Sequence, residues 1–183
     1  CSGCTALASI YIPNTITTIG DEAFYYCTSL ATIDIPASVL SIGDWAFYSC
    51  NQLSSVNFTE GLYTIKDNAF YDCKNLKNII IPNTLTNIGE CAFYGCENLI
   101  EIIIPDSVTV IDRCAFYQCS SLAEITIPAG VTSIGVAAFY QCSNLTDVSI
   151  STGVTGIGEH AFEECSSLSK ITIPGSVTSI GDG

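Results

Sequence analysis

The chain is short of several residue types, and each shortage excludes a class of protein. Its 183 residues include only five Lys and Arg, one His and no Met, against 18 Asp and Glu, so that the net charge is −13. A surface this acidic repels nucleic acids and anionic lipids. No apolar run approaches the roughly 20 residues that cross a bilayer; Ile79-Ile80-Ile81, for example, ends at Pro82. The sequence therefore predicts no nucleic-acid partner and no membrane insertion.

Residues suited to catalysis or to cofactor binding are scarce as well. His160, the single His, precedes Cys165, but Cys165 belongs to a regularly repeated column of core residues, which argues against a surface nucleophile. The Gly-x-Gly segments at 156–158 and 181–183 lack the third glycine of a dinucleotide site. We therefore expect neither an enzyme nor a bound cofactor.

Cysteine, in contrast, is abundant and regularly spaced. Eight of the 11 Cys recur every 23 residues without insertion or deletion: Cys4, Cys27, Cys50, Cys73, Cys96, Cys119, Cys142 and Cys165. A fixed period of this length is the signature of a solenoid, in which each coil contacts only its neighbours. The sequence predicts a single array of about eight coils over residues 1–183, with repeats starting near residues 13, 36, 59, 82, 105, 128, 151 and 174.

The two ends of the chain fall inside repeats. Cys1 stands near the end of a predicted helical turn, and Gly183 stands part-way through another repeat. Natural repeat arrays carry polar capping units at their ends. We therefore expect a segment of a longer protein, with any export signal or anchor outside it. Such a segment would also be expected to associate end to end at high concentration.

One coil contains two extended stretches and one turn. Ile33 and Ile35 alternate as in a strand with one buried face, and Pro36 ends that strand because it has no N–H to donate. Val39 and Ile42 form a second short extended stretch, and the spacing of Ala46-Phe47-x-x-Cys50 predicts a single helical turn. The positions expected to face inward, with their 23-residue counterparts, are Leu30, Ile33, Ile35, Val39, Ile42, Ala46, Phe47 and Cys50.

Two further columns follow the short stretch. The column of Gly43 is glycine in six copies and is predicted to need a left-handed backbone, so that Lys66, one of its two exceptions, is expected to be strained. The next column is mostly acidic and is interpreted as a row of caps for free N–H groups. Calcium binding is the alternative, but it needs about six to eight oxygen ligands, and no suitable loop repeats. No metal site is predicted.

The repeat Leu-x-x-Ile-x-Ile-Pro-x-x-Val-x-x-Ile-Gly-x-x-Ala-Phe-x-x-Cys resembles the BspA-like class of leucine-rich repeats over essentially the whole chain. The resemblance implies a right-handed, curved solenoid of the α/β class, mainly β, with the Leu-x-x-Ile-x-Ile strands forming a parallel sheet on its concave side. It further implies a secreted or cell-surface protein that binds host proteins, other cells or matrix. It brings no catalytic residues.

The cysteines require two separate interpretations. The eight-member column is predicted to consist of free packing thiols, because side chains that are in register point the same way. Cys91 and Cys114 are also 23 residues apart, in the column of Trp45, Asn68 and His160. Neighbouring strands lie about 4.8 Å apart, so a Cys91–Cys114 disulfide in an oxidising compartment remains open.

An apolar spot is predicted on the outward side of the concave strands. Ile80 and Ile103 occupy adjacent outward positions, and Ile100 lies one residue outside that column. The acidic residues beside them are Glu101, Glu124 and Asp147. An apolar centre with a charged rim is typical of an interaction patch. The alternative is that β-branched residues simply suit a sheet surface.

A row of tyrosines follows the phenylalanines and is expected to lie along one flank with its hydroxyls in water. Its candidate binding members are Tyr48, Tyr71, Tyr94 and Tyr117. Rigid amphipathic rings can anchor a protein or a carbohydrate. A packing ladder between coils is the alternative.

Taken with the resemblance, these features predict a non-catalytic binding module of a cell-surface or secreted protein. It would mediate protein–protein interaction or adhesion through the concave sheet, with a host, matrix or cell-surface protein as partner and carbohydrate as a further candidate. The alternatives are a structural stalk that displays another domain and an intracellular scaffold.

Overall fold

The computed structural model describes residues 1–183, which form a solenoid of 23-residue coils with β-strands and no helix. Each coil contributes a two-residue strand to one continuous parallel sheet of eight strands. Numbered in chain order, these strands are β1 (Thr18–Ile19), β3 (Ser41–Ile42), β5 (Thr64–Ile65), β7 (Asn87–Ile88), β9 (Val110–Ile111), β11 (Ser133–Ile134), β13 (Gly156–Ile157) and β14 (Ser179–Ile180).

A second row of strands carries the candidate site. Four of them pair in the order β2 (Thr32–Ile35), β4 (Ser55–Phe58), β6 (Asn78–Ile80) and β8 (Glu101–Ile103). Two more form a separate pair, β10 (Glu124–Ile127) and β12 (Asp147–Ile150). We call the outward side of these six strands the long-strand face. Residues alternate between exposed and buried along it, as in the pattern of β2.

The register confirms the predicted repeat, because every strand pair joins residues 23 positions apart, such as Ile79 with Ile102. The phenylalanines lie one above the next, with ring centroids 5.1 Å apart for Phe47 and Phe70 and 5.4 Å apart for Phe70 and Phe93. They belong to one core cluster that also contains the predicted inward aliphatic columns. The stack of coils therefore shares a single core.

The repeated cysteines have a role beyond filling space. The Sγ of Cys50 donates to the carbonyl oxygen of Phe24 at 3.1 Å, and the Sγ of Cys73 donates to that of Phe47 at 3.1 Å. The same bond repeats along the column as far as Cys165. Burial raises the pKa of the thiols from Cys50 to Cys142, that of Cys50 to about 12, whereas the hydrogen bond from Cys142 lowers the pKa of Cys165. They are protonated hydrogen-bond donors between coils.

The helical turn predicted from the spacing of Ala46 and Cys50 is absent, and successive tight turns replace it. The N–H groups of Trp45, Phe47 and Ser49 donate to carbonyl oxygens of the next coil at 3.0, 2.7 and 2.8 Å. A helix would direct such groups along its own axis, whereas this segment uses them to join coils. We call residues 44–50 and their counterparts the corner segment.

The left-handed conformation predicted for the Gly43 column is wrong, and so is the strain predicted at Lys66. Neither has a positive φ, which occurs instead within the corner segment, at 59° for Trp45 and 53° for Ser49. Glycine suits its column because a Cβ on Gly43 would lie 2.5 Å from the backbone N of Asp21 in the preceding coil. The ammonium of Lys66 lies 3.4 Å from the Asp21 carboxylate.

The acidic column does cap N–H groups, but those of the neighbouring coil. Oδ1 of Asp21 accepts from the N–H of Asp44 at 2.8 Å, and Oδ1 of Asp67 accepts from that of Glu90 at 2.8 Å. The hydrogen bond from Asp44, together with nearby Lys66, lowers the pKa of Asp21. These carboxylates are therefore occupied in joining coils.

The last hydrogen bond of a long-strand pair forms only where the second strand of the pair is not followed by proline. Thr59 and Ser151 replace proline, and their N–H groups donate to the carbonyl oxygens of Ile35 and Ile127 at 3.2 and 3.1 Å. Because proline cannot make that bond, β6 ends one residue earlier, before Ile81 and Pro82.

Candidate binding surface on the long strands

The long-strand face differs from coil to coil, whereas the buried side of the same strands repeats. Its central outward column reads Tyr11, Asp34, Asn57, Ile80, Ile103, Thr126, Ser149 and Thr172. The inward neighbours of Ile80 and Ile103 are Ile79 and Ile102, which are both buried. The alternation of strand side chains thus separates a uniform core from a varied surface.

Two of the three predicted isoleucines lie side by side on this face. Ile80 and Ile103 are directly paired on β6 and β8, and they are 76% and 64% exposed. Ile100 precedes β8 and is 52% exposed, but it lines neither of the depressions beside Ile103. We call Ile80 and Ile103 the isoleucine patch. Large apolar side chains left this open, and next to one another, are what a binding surface offers to a partner.

Two shallow depressions adjoin Ile103 on opposite sides. One, of about 330 Å³, is lined by Asn78, Ile80 and Glu101 among others. The other, also about 330 Å³, is lined by Glu101, Glu124 and Thr126 among others. Glu101 is common to both. The patch is therefore a ridge between two hollows that could each receive a side chain.

The acidic rim is present, and none of its three carboxylates is paired with a cation. Glu101, Glu124 and Asp147 are exposed, and Glu124 is paired with Asp147 on β10 and β12. None of them belongs to an ion pair. Lys66, Lys74 and Arg113, in contrast, each pair with an acid elsewhere. The apolar centre is thus flanked on one side by three unpaired acids, and Lys170 follows Asp147 in the same column.

The tyrosine row forms a stacked ladder along the flank. Tyr71 and Tyr94 have ring centroids 4.3 Å apart and planes 2° apart, and Tyr94 and Tyr117 have values of 4.6 Å and 5°. Tyr48 stacks on Tyr71 at 5.0 Å. Each ring face is therefore covered by a neighbour, and only ring edges and hydroxyls are open to a partner. Stacking of a sugar on these rings would have to separate them.

One feature of the face was missed in the sequence. Tyr11 is 80% exposed beside Asp34 and Asn57, whose side chains are joined by a hydrogen bond of 2.7 Å from Asn57 Nδ2 to Asp34 Oδ1. These residues line a depression of about 510 Å³. All three belong to the same outward column as Ile80, so their position in the repeat could have revealed it.

Cys91 and Cys114 lie in the corner segments, beside the tyrosine ladder. Cys91 is half-buried and Cys114 is buried, and both are free thiols. No group of three or more His, Cys, Asp or Glu side chains is arranged to hold a metal ion. The structure also contains no helix that could cross a membrane.

Comparison with protein families matches this architecture. The model of the BspA type leucine-rich repeat region, in six copies, matches residues 1–99 and 63–183. The chain belongs to the BspA-type leucine-rich repeat family. Repeats of this family typically serve in protein interaction. A comparison with curated proteins found no match.

Solved structures of other leucine-rich repeat proteins are similar to this chain. The T. pallidum leucine-rich repeat protein is 31% identical, with a TM-score of 0.83 over 88% of this chain and 78% of that one. A leucine-rich repeat protein from Eubacterium ventriosum is 26% identical, with a TM-score of 0.78 over 84% of this chain and 42% of that one. A leucine-rich cell surface protein from Faecalibacterium prausnitzii is 27% identical, with a TM-score of 0.57 over 91% of this chain and 61% of that one.

Proposed function

We propose that this chain is a non-catalytic module that binds a protein through its long-strand face, with the isoleucine patch at the centre of the contact. The observation that carries the proposal is the exposure of Ile80 and Ile103, side by side, on a face that is otherwise polar. Burying such side chains against a partner contributes about 25 cal/mol for each Å² of apolar area removed from water.

The acidic rim indicates the chemistry of the partner. Glu101, Glu124 and Asp147 have no cation of their own, and the chain carries a net charge of −13. A partner surface that presents an apolar side chain flanked by Lys or Arg would complement both features. Its association rate should fall as salt is added, because the charges on the rim are exposed.

A location outside the cell is part of the same proposal. The related Faecalibacterium chain is a cell surface protein, and the partners of such a module would be host, matrix or cell-surface proteins. Antibody labelling of intact cells that encode the chain tests this location. Labelling only after the cells are broken would contradict it and would favour an intracellular scaffold.

The binding test uses the immobilised chain and a solubilised extracellular-matrix extract, with retained proteins identified by mass spectrometry. The variant is Ile80→Asp/Ile103→Asp. The matched control is Ser149→Asp/Thr172→Asp, which adds the same charges to the same outward column outside the patch. We expect proteins that the control retains and the patch variant loses. If both variants retain the same proteins, the patch is not the binding site, and a chain that retains none is better explained as a stalk.

A further inference from the structure

Cys91 and Cys114 are distinguished from the other cysteines by their surroundings. Each buried thiol of the repeated column from Cys50 to Cys165 donates to a phenylalanine carbonyl oxygen. Cys91 and Cys114 have no such acceptor, and Cys91 is only half-buried. A thiol that is partly exposed and makes no hydrogen bond to the backbone can meet a small oxidant that cannot enter the core.

The backbone places the two residues as translated copies of each other. Their φ angles are 53° and 52°, and their N–H groups donate at 2.9 Å to Arg113 and Val136, at equivalent positions of successive coils. The residues that follow them are spaced by 5.4 Å between the rings of Phe93 and Phe116 and by 4.6 Å between those of Tyr94 and Tyr117. A translation of this size is within the roughly 4.4–6.8 Å between Cα atoms that a disulfide spans, and closure requires the two parallel side chains to tilt until their Cβ atoms are about 4.5 Å apart or less.

The pair also joins the two coils at which the long-strand pairing is interrupted. Cys91 is in the coil of β8, and Cys114 is in the coil of β10, and these two strands belong to different sheets. At this junction the N–H of Ala123 reaches the carbonyl oxygen of Ile100 at 3.4 Å, which is the longest backbone hydrogen bond outside the strands. A covalent link on the flank would hold together coils whose long strands are not paired.

We propose that Cys91 and Cys114 form a reversible disulfide that links these two coils. In the reaction one thiolate attacks a low-molecular-weight disulfide such as oxidised glutathione, forming a mixed disulfide and releasing one glutathione thiolate. The second Cys then attacks the protein sulfur of that mixed disulfide and releases the other glutathione. The S–S bond of the oxidant is broken, the Cys91–Cys114 bond is formed, and the two protons pass to the two glutathione molecules.

The rate of this reaction should depend strongly on pH. Burial, followed by the neighbouring Cys114, raises the pKa of Cys91 to about 12. Only the thiolate attacks a disulfide, so oxidation should be slow at neutral pH and should accelerate as the pH rises. The link would therefore persist once formed and would not exchange rapidly.

The first test counts thiols in a Cys1→Ser/Cys4→Ser background, which removes the two exposed cysteines. The intact protein is treated with oxidised glutathione, denatured and alkylated. Of the nine thiols, we expect seven to stay free during oxidation and to be alkylated afterwards. The other two should be found in one disulfide-linked peptide pair that contains Cys91 and Cys114. Further Cys91→Ser or Cys114→Ser substitution should abolish the link. Nine alkylated thiols, or a link between other cysteines, would overturn the proposal.

The second test asks whether the link acts at the β8–β10 junction. Amide hydrogen exchange of Ala123 should be about tenfold slower, or more, in the oxidised form than in the reduced form. In the control Asn68→Cys/Cys114→Ala the pair moves one coil along the same column, so the link should still form while Ala123 exchanges equally in both forms. Equal slowing of Ala123 in both proteins would contradict a local action of the natural pair.

Discussion

The corner segments and the long-strand face are parts of the same coils, but they use their side chains in opposite ways. In the corner, Phe93 stacks between Phe70 and Phe116 at 5.4 Å on each side, and its N–H donates to Ala115 of the next coil at 2.8 Å. On the face, Ile103 has an exposed side chain that no coil covers. Positions that repeat are occupied by contacts between coils, and positions that vary are free to meet a partner.

The largest effect expected from this comparison is on stability. Phe93→Ala should lower the free energy of unfolding by about 3–5 kcal/mol, because it removes a buried ring and leaves a cavity. Ile103→Ala, on the face of the same coil, should change it by no more than about 0.5 kcal/mol. Urea unfolding followed by circular dichroism measures both. Similar losses in the two variants would show that the face also supports the fold.

Alkaline pH should lower the free energy of unfolding through the buried thiols of the corner segments. The pKa of Cys50 is raised from about 9 to about 12, so above pH 9 the unfolded chain loses this proton while the folded chain keeps it. Stability is therefore fully present below about pH 9 and falls as the pH rises towards about 12, by up to about 1.4 kcal/mol per pH unit for each such thiol. Urea unfolding of the wild type and of Cys50→Ala at several pH values should show a shallower decline in the variant. If the free energy of unfolding falls equally steeply with pH in both proteins, the fold does not raise the pKa of the Cys50 thiol.

A smaller effect is expected at the end of the long strands. Thr59→Pro removes the N–H that donates to Ile35 at 3.2 Å and should cost about 0.5–1.5 kcal/mol. Hydrogen exchange should show loss of protection confined to β2 and β4. The control is Ser107→Pro, because the N–H of Ser107 donates no backbone hydrogen bond. This variant should leave the protection of β2 and β4 unchanged.

The sequence predicted the contacts between equivalent residues of neighbouring coils. A period of 23 residues fixes which residues of neighbouring coils meet, so the pairing of Ile79 with Ile102 and the stacking of Phe47 on Phe70 followed from spacing alone. The end of β6 before Pro82 followed from the missing N–H of proline. The alternation of strand side chains within each repeat likewise predicted the outward position of Ile80 and Ile103.

The corner conformation could not be predicted in the same way. The spacing of Ala46 and Cys50 suits a helical turn, and no local signal distinguishes that turn from one whose N–H groups bond to the next coil, as that of Phe47 does with Ala69. The conformation of the turn is therefore decided by a hydrogen bond to Ala69, which lies 22 positions further along the chain. The Tyr11 depression was missed for a different reason, since it depends on a hydrogen bond between Asp34 and Asn57 that no pattern encodes.

The smallest effect is the most informative for function. Ile80→Thr/Ile103→Thr keeps β-branched residues on β6 and β8 and should change the free energy of unfolding by less than about 0.5 kcal/mol for each substitution. The adjacent pair Ile79→Thr/Ile102→Thr, one position away but buried, should cost several times more, because it places hydroxyl groups in the core. Urea unfolding compares the two. If the outward pair proves as costly as the inward pair, the isoleucines serve the fold. If it does not, the fold does not require the two isoleucines, and they are free to serve in the proposed binding.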